Sequence, residues 1–241
     1  ELFAAVTSRR RGQRIPVAIT FDDDLASHRR DAMPVLERLG LPATFFLSGA
    51  SLERPFAFWW ERLQRAFDEG IDVERALPTL AGRWRDIHDL DMALRVAAPG
   101  ERDAAADRLL AELGVDPPDA GIRADDVRAL VAAGFEIGFH TRRHDPLVGL
   151  DDEALARALL DGRAELEAIT AHKLATVAYP HGMADERVAG VAAASGYMFG
   201  FTAAWGPVRS ADNPMLVSRV EPPFTSAGHL ALRLVRMLVA R

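Results

Sequence analysis

The feature that most constrains this sequence is a strand, a helix and a second strand within about thirty residues, from residue 17 to residue 47. Residues 17–21 form a short apolar run after a proline, which predicts a buried strand. Residues 29–39 carry apolar side chains at helical spacing, and residues 43–47 predict the second strand. Two strands joined through a helix run parallel, so we expect a parallel sheet covered by helices.

The same alternation returns in the second half of the chain. About six strands with helices between most of them favour either a barrel or an open doubly wound sheet. A chain of 241 residues has the length of one such domain, and we expect residues 1–241 to form a single domain. The further strands are predicted at residues 135–139, 176–179, 197–202 and 215–220, and the helices at 125–133, 151–170, 185–194 and from Ser226 onward.

Residues 51–121 behave differently, because they show helical patterns and loops but no convincing strand. We interpret this stretch as a helical insertion after the second strand. One helical stripe is formed by Phe56, Trp59, Trp60, Leu63 and Phe67, which predicts that they pack in the core of the insertion. The alternative for the two tryptophans is a platform on which a sugar ring stacks.

Charge and composition exclude several classes of protein. With 29 basic and 35 acidic residues the net charge is −6, which argues against nucleic-acid binding. The basic cluster Arg9, Arg10, Arg11 and Arg14 is expected to be a solvated turn, with contact to an anionic surface as the alternative. Without cysteine, disulfides and thiolate metal sites are impossible. The sequence leaves the compartment open. Because neither a membrane-spanning apolar run nor a signal peptide is visible, it favours a cytoplasmic location or one peripheral to a membrane.

Polar residues stand at the ends of three predicted strands. Three aspartates follow the first strand (residues 22–24), the sequence HTRRH follows the third (residues 140–144), and YPHG ends the fourth (residues 179–182). In parallel α/β folds the carboxyl ends of strands lie on one face, where sites form. We therefore expect these three segments to meet in one site.

The pair His140 and His144 is suited to hold a divalent metal together with a carboxylate. By itself this spacing also fits two unrelated histidines, each satisfied by its own hydrogen bonds. Neighbouring carboxylates on an extended backbone face opposite ways, so one aspartate can bind the metal while another stays free as a general base for a water molecule. For Asp24 we expect the role of a solvated helix N-terminus.

These motifs resemble those of the NodB-type polysaccharide deacetylases, carbohydrate esterase family four. The resemblance rests on TFDD at residues 20–23, HTRRH at residues 140–144 and YPHG at residues 179–182, in that order. It covers roughly residues 15–50 and 122–220 of the chain. It implies a distorted (β/α) barrel of about seven parallel strands and hydrolysis of an N-acetyl group on an amino sugar, with release of acetate.

The resemblance also implies a role for each motif residue. Asp22 would be the catalytic base, and Asp23, His140 and His144 would hold one divalent metal ion, with zinc as first choice and cobalt, nickel or manganese as alternatives. The metal and a backbone N–H near His181 would stabilise the oxyanion.

The sequence departs from the family pattern at several positions. Asp24 replaces the usual glycine, although aspartate tolerates the left-handed backbone of such a turn better than most residues. Ala178 replaces an arginine that pairs with the base, and Arg219 on the last predicted strand is a candidate substitute. The late motif that supplies the general acid is not evident, which leaves His181 and His229 as candidates.

We expect the substrate to be contacted by residues around these motifs, with Trp205 standing nearest to the family's late Asp-Trp segment. The predicted substrate contacts are Tyr179, Pro180, Trp205 and Arg219.

Three hypotheses of function follow. The first is a metal-dependent deacetylase of an N-acetylated polysaccharide, oligosaccharide or glycolipid, resembling the branch of the family associated with surface-polysaccharide synthesis or export. The second is a C–N hydrolase of small cyclic amides on the same fold. The third is a catalytically weak member that binds saccharides, which the missing late motif supports.

Overall fold

Six parallel strands form one sheet, and each strand lies beside its neighbours in sequence. The computed structural model describes residues 4–5, 8, 13, 15–80, 82, 84–222 and 226–239; the basic cluster Arg9, Arg10, Arg11 and Arg14 lies outside them. The strands are β1 (Ile19–Asp22), β2 (Ala43–Leu47), β3 (Glu136–Phe139), β4 (Thr176–Ala178), β5 (Phe199–Trp205) and β6 (Val217–Arg219). The curled sheet and its helices form a distorted (β/α) barrel, which confirms the expected fold class, with six strands in the described residues where the resemblance implies about seven.

Helices connect most of the strands, and five of those described lie between β2 and β3. A π-helical turn over His28–Ala32 leads into α1 (Met33–Leu39) between the first two strands. The remaining helices are α2 (Trp59–Asp68), α3 (Val73–Ala76), α4 (Ile87–Val96), α5 (Pro99–Leu113), α6 (Ala124–Ala132), α7 (Asp152–Ala158), α8 (Arg163–Thr170), α9 (Glu186–Ala194) and α10 (Ala227–Val239).

The single helix predicted over residues 151–170 is wrong, because the chain breaks into α7 and α8 there. The break ends at Gly162, whose φ of +85° belongs to the left-handed region. A Cβ added at Gly162 would lie 2.9 Å from Cδ of Arg142, so any other residue would also force that side chain to shift.

Two hydrophobic clusters hold the described part of the chain together. The first lies between the sheet and its helices, where Phe45, Leu47 and Phe139 are fully buried, as expected for strands covered on both faces. The second lies among the helices between β2 and β3, around Trp59 and Leu63. The helical character of this stretch agrees with the sequence, whereas its membership of one domain with the barrel stays a prediction.

The parallel sheet brings the polar segments to one edge. β1 ends at Asp22, β3 ends immediately before His140, and β4 ends immediately before Tyr179. β6 ends at Arg219, on the same edge. Within the described residues, no helix combines the length and the apolar character needed to cross a membrane.

Candidate active site

Asp23, His140 and His144 form a compact cluster at the carboxyl edge of the sheet. Oδ1 of Asp23 lies 3.5 Å from Nε2 of His140 and 3.5 Å from Nε2 of His144. His140 donates its Nδ1–H to the carbonyl oxygen of Ala178 at 2.8 Å, which fixes the ring and leaves Nε2 directed to the cluster. Both histidines are buried, so the cluster offers two imidazole nitrogens and one carboxylate oxygen in a sheltered site.

The three ligand atoms fit a divalent metal ion. Zinc binds nitrogen and oxygen ligands at about 2.0–2.1 Å in a tetrahedron, which puts neighbouring ligand atoms roughly 3.4 Å apart. The observed 3.5 Å separations match this requirement. Oδ1 of Asp23 is buried without a hydrogen-bond partner among the described residues, a costly state for a carboxylate that a cation would relieve. Imidazole and carboxylate suit several divalent metals, so the donor set does not by itself select one.

Four residues of this region adopt the left-handed backbone that side chains other than glycine rarely adopt. The φ angle is +73° at Asp23, +58° at Thr141, +51° at His144 and +57° at His181. Backbone strain of this kind is typically concentrated at functional sites. The expected left-handed turn is therefore present, but it lies at Asp23 and not at Asp24.

Asp22 forms a two-point ion pair with Arg219. Nη1 and Nη2 of Arg219 donate to Oδ1 and Oδ2 of Asp22 at 2.7 and 2.6 Å. Nε of Arg219 donates to the carbonyl oxygen of Thr202 at 2.9 Å, which fixes the guanidinium. Burial raises the pKa of Asp22, but the charges of His140 and Arg219 and the arginine hydrogen bonds outweigh it and lower the pKa below its ordinary value. Asp22 is therefore held ionised, as a general base requires.

The two histidines of the cluster differ in their electrostatic surroundings. Burial lowers the pKa of His140, but the nearby charges of Asp22 and Asp23 outweigh it and raise the pKa overall. Burial and the charges of His140 and His181 lower the pKa of His144 well below its ordinary value. His144 is thus neutral at pH 7, which is the form that binds a metal.

His181 contacts the cluster and is itself held by an arginine. Its ring lies 4.5 Å from that of His144, centroid to centroid, and Nη1 of Arg95 donates to its Nδ1 at 3.2 Å. Because Nδ1 accepts this bond, the proton of the neutral ring is on Nε2. Burial first, and then the charges of Arg95 and Arg102, lower the pKa of His181 to about 4. The neutral ring can donate a hydrogen bond from Nε2. The role of His181 as a general acid stays a prediction.

Asp24 does not have the solvated role expected from the sequence. Its side chain is buried and accepts hydrogen bonds from the backbone N–H and the hydroxyl of Ser48 at 2.7 and 2.8 Å. It also accepts bonds from Gly49 and from both donors of Ser51 at 3.2–3.3 Å. The prediction was wrong because these partners come from the loop after β2, which pattern analysis does not connect to β1.

The other predicted substrate and acid residues lie in different surroundings. Tyr179 is fully buried and its hydroxyl donates to the carbonyl oxygen of Met215 at 2.8 Å, so its side chain supports packing. Pro180 is buried too, whereas Trp205 is half-exposed at the end of β5. His229 is exposed on α10 and is not a member of the Asp23–His140–His144 cluster. Its role as an acid stays a prediction.

Sequence reasoning missed a contribution of the helices between β2 and β3. Arg102 on α5 is almost completely buried and forms an ion pair with Asp145, the residue after His144. Nearby, the ring of Trp60 on α2 lies 4.7 Å from that of His144. Both contacts join residues far apart in sequence, and no local motif signals them.

Comparison with known proteins agrees with this geometry. A family model described as polysaccharide deacetylase matches residues 9–75 and 103–200, more than half of the chain. Among curated proteins, YxkH of Bacillus subtilis (strain 168) is 36% identical over 58 residues, which cover 24% of this chain and 21% of YxkH. The match thus spans about a fifth of that relative.

Solved structures show the same fold at low sequence identity. The deacetylase PplD of Streptococcus pyogenes, in complex with acetate, aligns with a TM-score of 0.62 at 15% identity over 96% of this chain and 75% of its own. IcaB from Ammonifex degensii aligns with a TM-score of 0.57 at 19% identity, over 89% of this chain and 71% of IcaB. The polysaccharide deacetylase BC0361 from Bacillus cereus aligns with a TM-score of 0.58 at 16% identity, over 91% of this chain and 51% of BC0361. Taken with the family match, the barrel and its motifs lead to one assignment: this chain belongs to the polysaccharide deacetylase family.

Proposed function

We propose that this protein is a metal-dependent hydrolase that removes N-acetyl groups from an amino sugar in a polysaccharide, oligosaccharide or glycolipid of surface polysaccharide metabolism. The observation that carries the proposal is an ionised carboxylate that lies next to the metal-ligand cluster without being one of its ligands. Asp22 is paired with Arg219, while its neighbour Asp23 is directed to His140 and His144. Family membership supports the deacetylase reaction, and the donor set supports one divalent ion.

The reaction adds water across the C–N bond of the acetamido group, releasing acetate and leaving an amine on the sugar. A divalent ion held by Asp23, His140 and His144 would act as a Lewis acid for the acetyl carbonyl and lower the pKa of a water molecule. Asp22 accepts the proton of the attacking water. The leaving nitrogen must gain a proton to depart as an amine. We assign this proton transfer to Asp22, which gives up the proton that it accepted from the attacking water.

His181 has the role of a hydrogen-bond donor in this proposal. Its Nε2 is buried without a partner among the described residues and carries the proton of the neutral ring. The backbone N–H groups of Gly182 and Met183 donate to the carbonyl oxygens of Tyr179 and Pro180, at 2.8 and 3.2 Å. The backbone N–H of His181 is therefore the candidate for the oxyanion contact expected in this turn.

The test is metal content together with acetate release. We expect about one equivalent of a divalent ion per chain after reconstitution with zinc, and its loss in the double variant His140→Ala, His144→Ala. Asp22→Asn should retain the metal but abolish acetate release from N-acetylated sugars, because it removes the base and keeps the ligands.

Three outcomes contradict the proposal. Full activity in Asp22→Asn rules out the assigned base. Hydrolysis of a cyclic imide without action on any acetylated sugar would favour the cyclic amide hydrolase instead. Saccharide binding without acetate release from any substrate would favour a binding protein.

A further inference from the structure

An open groove of about 630 Å³ lies between helices α2 and α4, outside the barrel motifs. Its volume is within the roughly 300–1,000 Å³ range of ligand clefts. Its walls combine polar and apolar side chains, and most of them are polar. The residues that matter for the argument are Trp60, Gln64 and Asp68 on α2, and Ile87, Asp91 and Arg95 on α4.

This groove adjoins the active site through two of its lining residues, Trp60 and Arg95. The ring of Trp60 lies 4.7 Å from that of the proposed ligand His144, centroid to centroid. Arg95 donates from Nη1 to Nδ1 of His181 at 3.2 Å while it also lines the groove. One side chain therefore separates the groove from His144 and from His181, a distance that a sugar chain extending from the acetylated residue can cover.

The chemistry of the groove is suited to sugar rings. Trp60 is partly exposed and is held by stacking on Phe58, with ring centroids 4.5 Å apart and planes 4° from parallel. A fixed indole presents a negatively polarised face to the C–H groups of a pyranose. In the same groove, Arg95 is oriented by an ion pair with Asp91 at 2.6 Å, and Gln64 donates to Asp68 at 2.9 Å. Such planar polar groups in fixed orientations pair with hydroxyl groups.

The same lining disfavours an acyl chain. A lipid tail in this groove would cover Asp68, Asp91 and Arg95 and remove their contact with water without offering hydrogen bonds in return. Sugar hydroxyl groups replace those water contacts. The groove therefore discriminates between the substrate classes that remain open for the deacetylase.

We infer that the groove between α2 and α4 binds the sugar residues that flank the acetylated one, with Trp60 as the stacking platform, so that the substrate is an oligosaccharide or polysaccharide chain. This inference rests on the proposed deacetylase function. It makes the helices between β2 and β3 the element that selects chain length.

The experiment compares oligomers of N-acetylglucosamine and of N-acetylgalactosamine, from one to six residues, with the metal-reconstituted protein. We expect kcat/KM for acetate release to rise about tenfold or more from the monosaccharide to the tetrasaccharide, the size of one good stacking contact. In Trp60→Ala the ratio of these two values should fall to about one. Gln64→Ala, on the groove but away from the cluster, should lower the ratio as well.

The matched control is Trp84→Phe. Trp84 packs 5.7 Å from Phe67 among the inserted helices and does not line the groove, so the length dependence should persist there. Circular dichroism verifies that each variant is folded. Binding of the same oligomers to Asp22→Asn, with and without Trp60→Ala, is measured by calorimetry.

Each outcome decides between the two proposals. Acetate release that does not depend on length, or a length dependence that survives in folded Trp60→Ala and Gln64→Ala, overturns the groove and leaves the deacetylase standing. Length-dependent binding that Trp60→Ala abolishes, without acetate release by the unmutated protein, supports the groove and overturns the reaction. If neither oligomer binding nor acetate release is detected, both proposals are overturned.

Discussion

Arg219 at the end of the last strand holds Asp22 at the end of the first strand through both of its terminal nitrogens. In the part of the chain that the structure describes, β1 pairs with β2 and β6 pairs with β5, but β1 and β6 do not pair with each other. This ion pair therefore bridges the two edges of the curled sheet at the site. It gives Arg219 a part both in the closure of the barrel and in the charge state of the proposed base.

Replacing Arg219 with Gln should impair the base. Arg219 lowers the pKa of Asp22, so its loss raises that pKa and shifts the acidic limb of the kcat/KM profile to higher pH. We expect a decrease of about 10- to 100-fold at neutral pH. Arg219→Lys restores the charge without the two-point geometry, and should recover part of the pH shift. An unchanged pH profile in a folded, metal-loaded Arg219→Gln would contradict the pairing role.

Asp24 should be a stability residue, and its removal should be costly. Asp24→Ala leaves both buried donors of Ser48 and the backbone N–H of Ser51 without this acceptor, whereas the hydroxyl of Ser51 keeps the carbonyl oxygen of Ile122 at 2.7 Å. At about 1–3 kcal/mol for each unsatisfied buried group, partly relieved by entering water, we expect a loss of about 3 kcal/mol in the free energy of unfolding. Urea denaturation measures it, and Asp31→Ala on the exposed side of the neighbouring turn is the control. Equal stability of the two variants would contradict this account.

The features that the sequence predicts correctly are those encoded locally. A short apolar run that ends in polar residues predicts both a buried strand and the position of its polar end, and this was sufficient for β1, β3 and β4. Because parallel strands align their carboxyl ends, the meeting of Asp23 with His140 and His144 followed from the strand assignments. The resemblance to a known family added the expected roles.

The features that the sequence does not predict depend on contacts between distant segments. Asp24 was misassigned because an aspartate before a helix is usually solvated, and its acceptor role depends on a loop 24–27 residues away. The burial of Arg102 on α5 depends on Asp145, 43 positions later. The separate roles of Trp59 in the core and Trp60 in the groove depend on how α2 packs against its neighbours, which helical spacing leaves open.

Arg102→Leu should destabilise the protein and weaken metal binding together. The side chains of Arg102 and Asp145 are 1% and 6% exposed, so loss of the arginine leaves a buried carboxylate supported mainly by Arg143 at 3.2 Å. Removing one partner of a buried ion pair typically lowers the free energy of unfolding by about 3–5 kcal/mol. Asp145 adjoins His144, so the shift should also lower metal affinity. Chemical denaturation and metal titration measure the two effects.

The double variant is the control for this prediction. Replacing both Arg102 and Asp145 with Leu removes the uncompensated charge, and should recover most of the stability lost in the single variant. Arg75→Leu breaks an exposed pair with Glu112 and should change stability little. If the double variant is as unstable as Arg102→Leu, the loss comes from packing and not from the buried charge.

Glu61 should make the stability of the metal-free protein depend on pH. Burial first, and then the charges of Asp23 and Asp24, raise the pKa of Glu61 from 4.5 to about 7, although the N–H of Phe58 donates to it at 2.9 Å and opposes the rise. Between these values the folded protein keeps a proton that the unfolded chain has released. The contribution of Glu61 to stability therefore decreases as pH rises from 4.5 to about 7.

Glu61→Gln tests this, because the amide keeps an acceptor for Phe58 but cannot ionise. We consider the free energy of unfolding of the variant minus that of the unmutated protein. This difference should increase by on the order of 2 kcal/mol as the pH rises from about 5 to about 8. Urea denaturation with a chelator measures the difference, since a cation at Asp23 would offset the charge that raises the pKa. Glu69→Gln, whose carboxylate is half-exposed beside Arg65, is the matched control and should show no such gain. A difference between Glu61→Gln and the unmutated protein that is the same at both pH values would mean that Glu61 is already ionised in the folded state at pH 5.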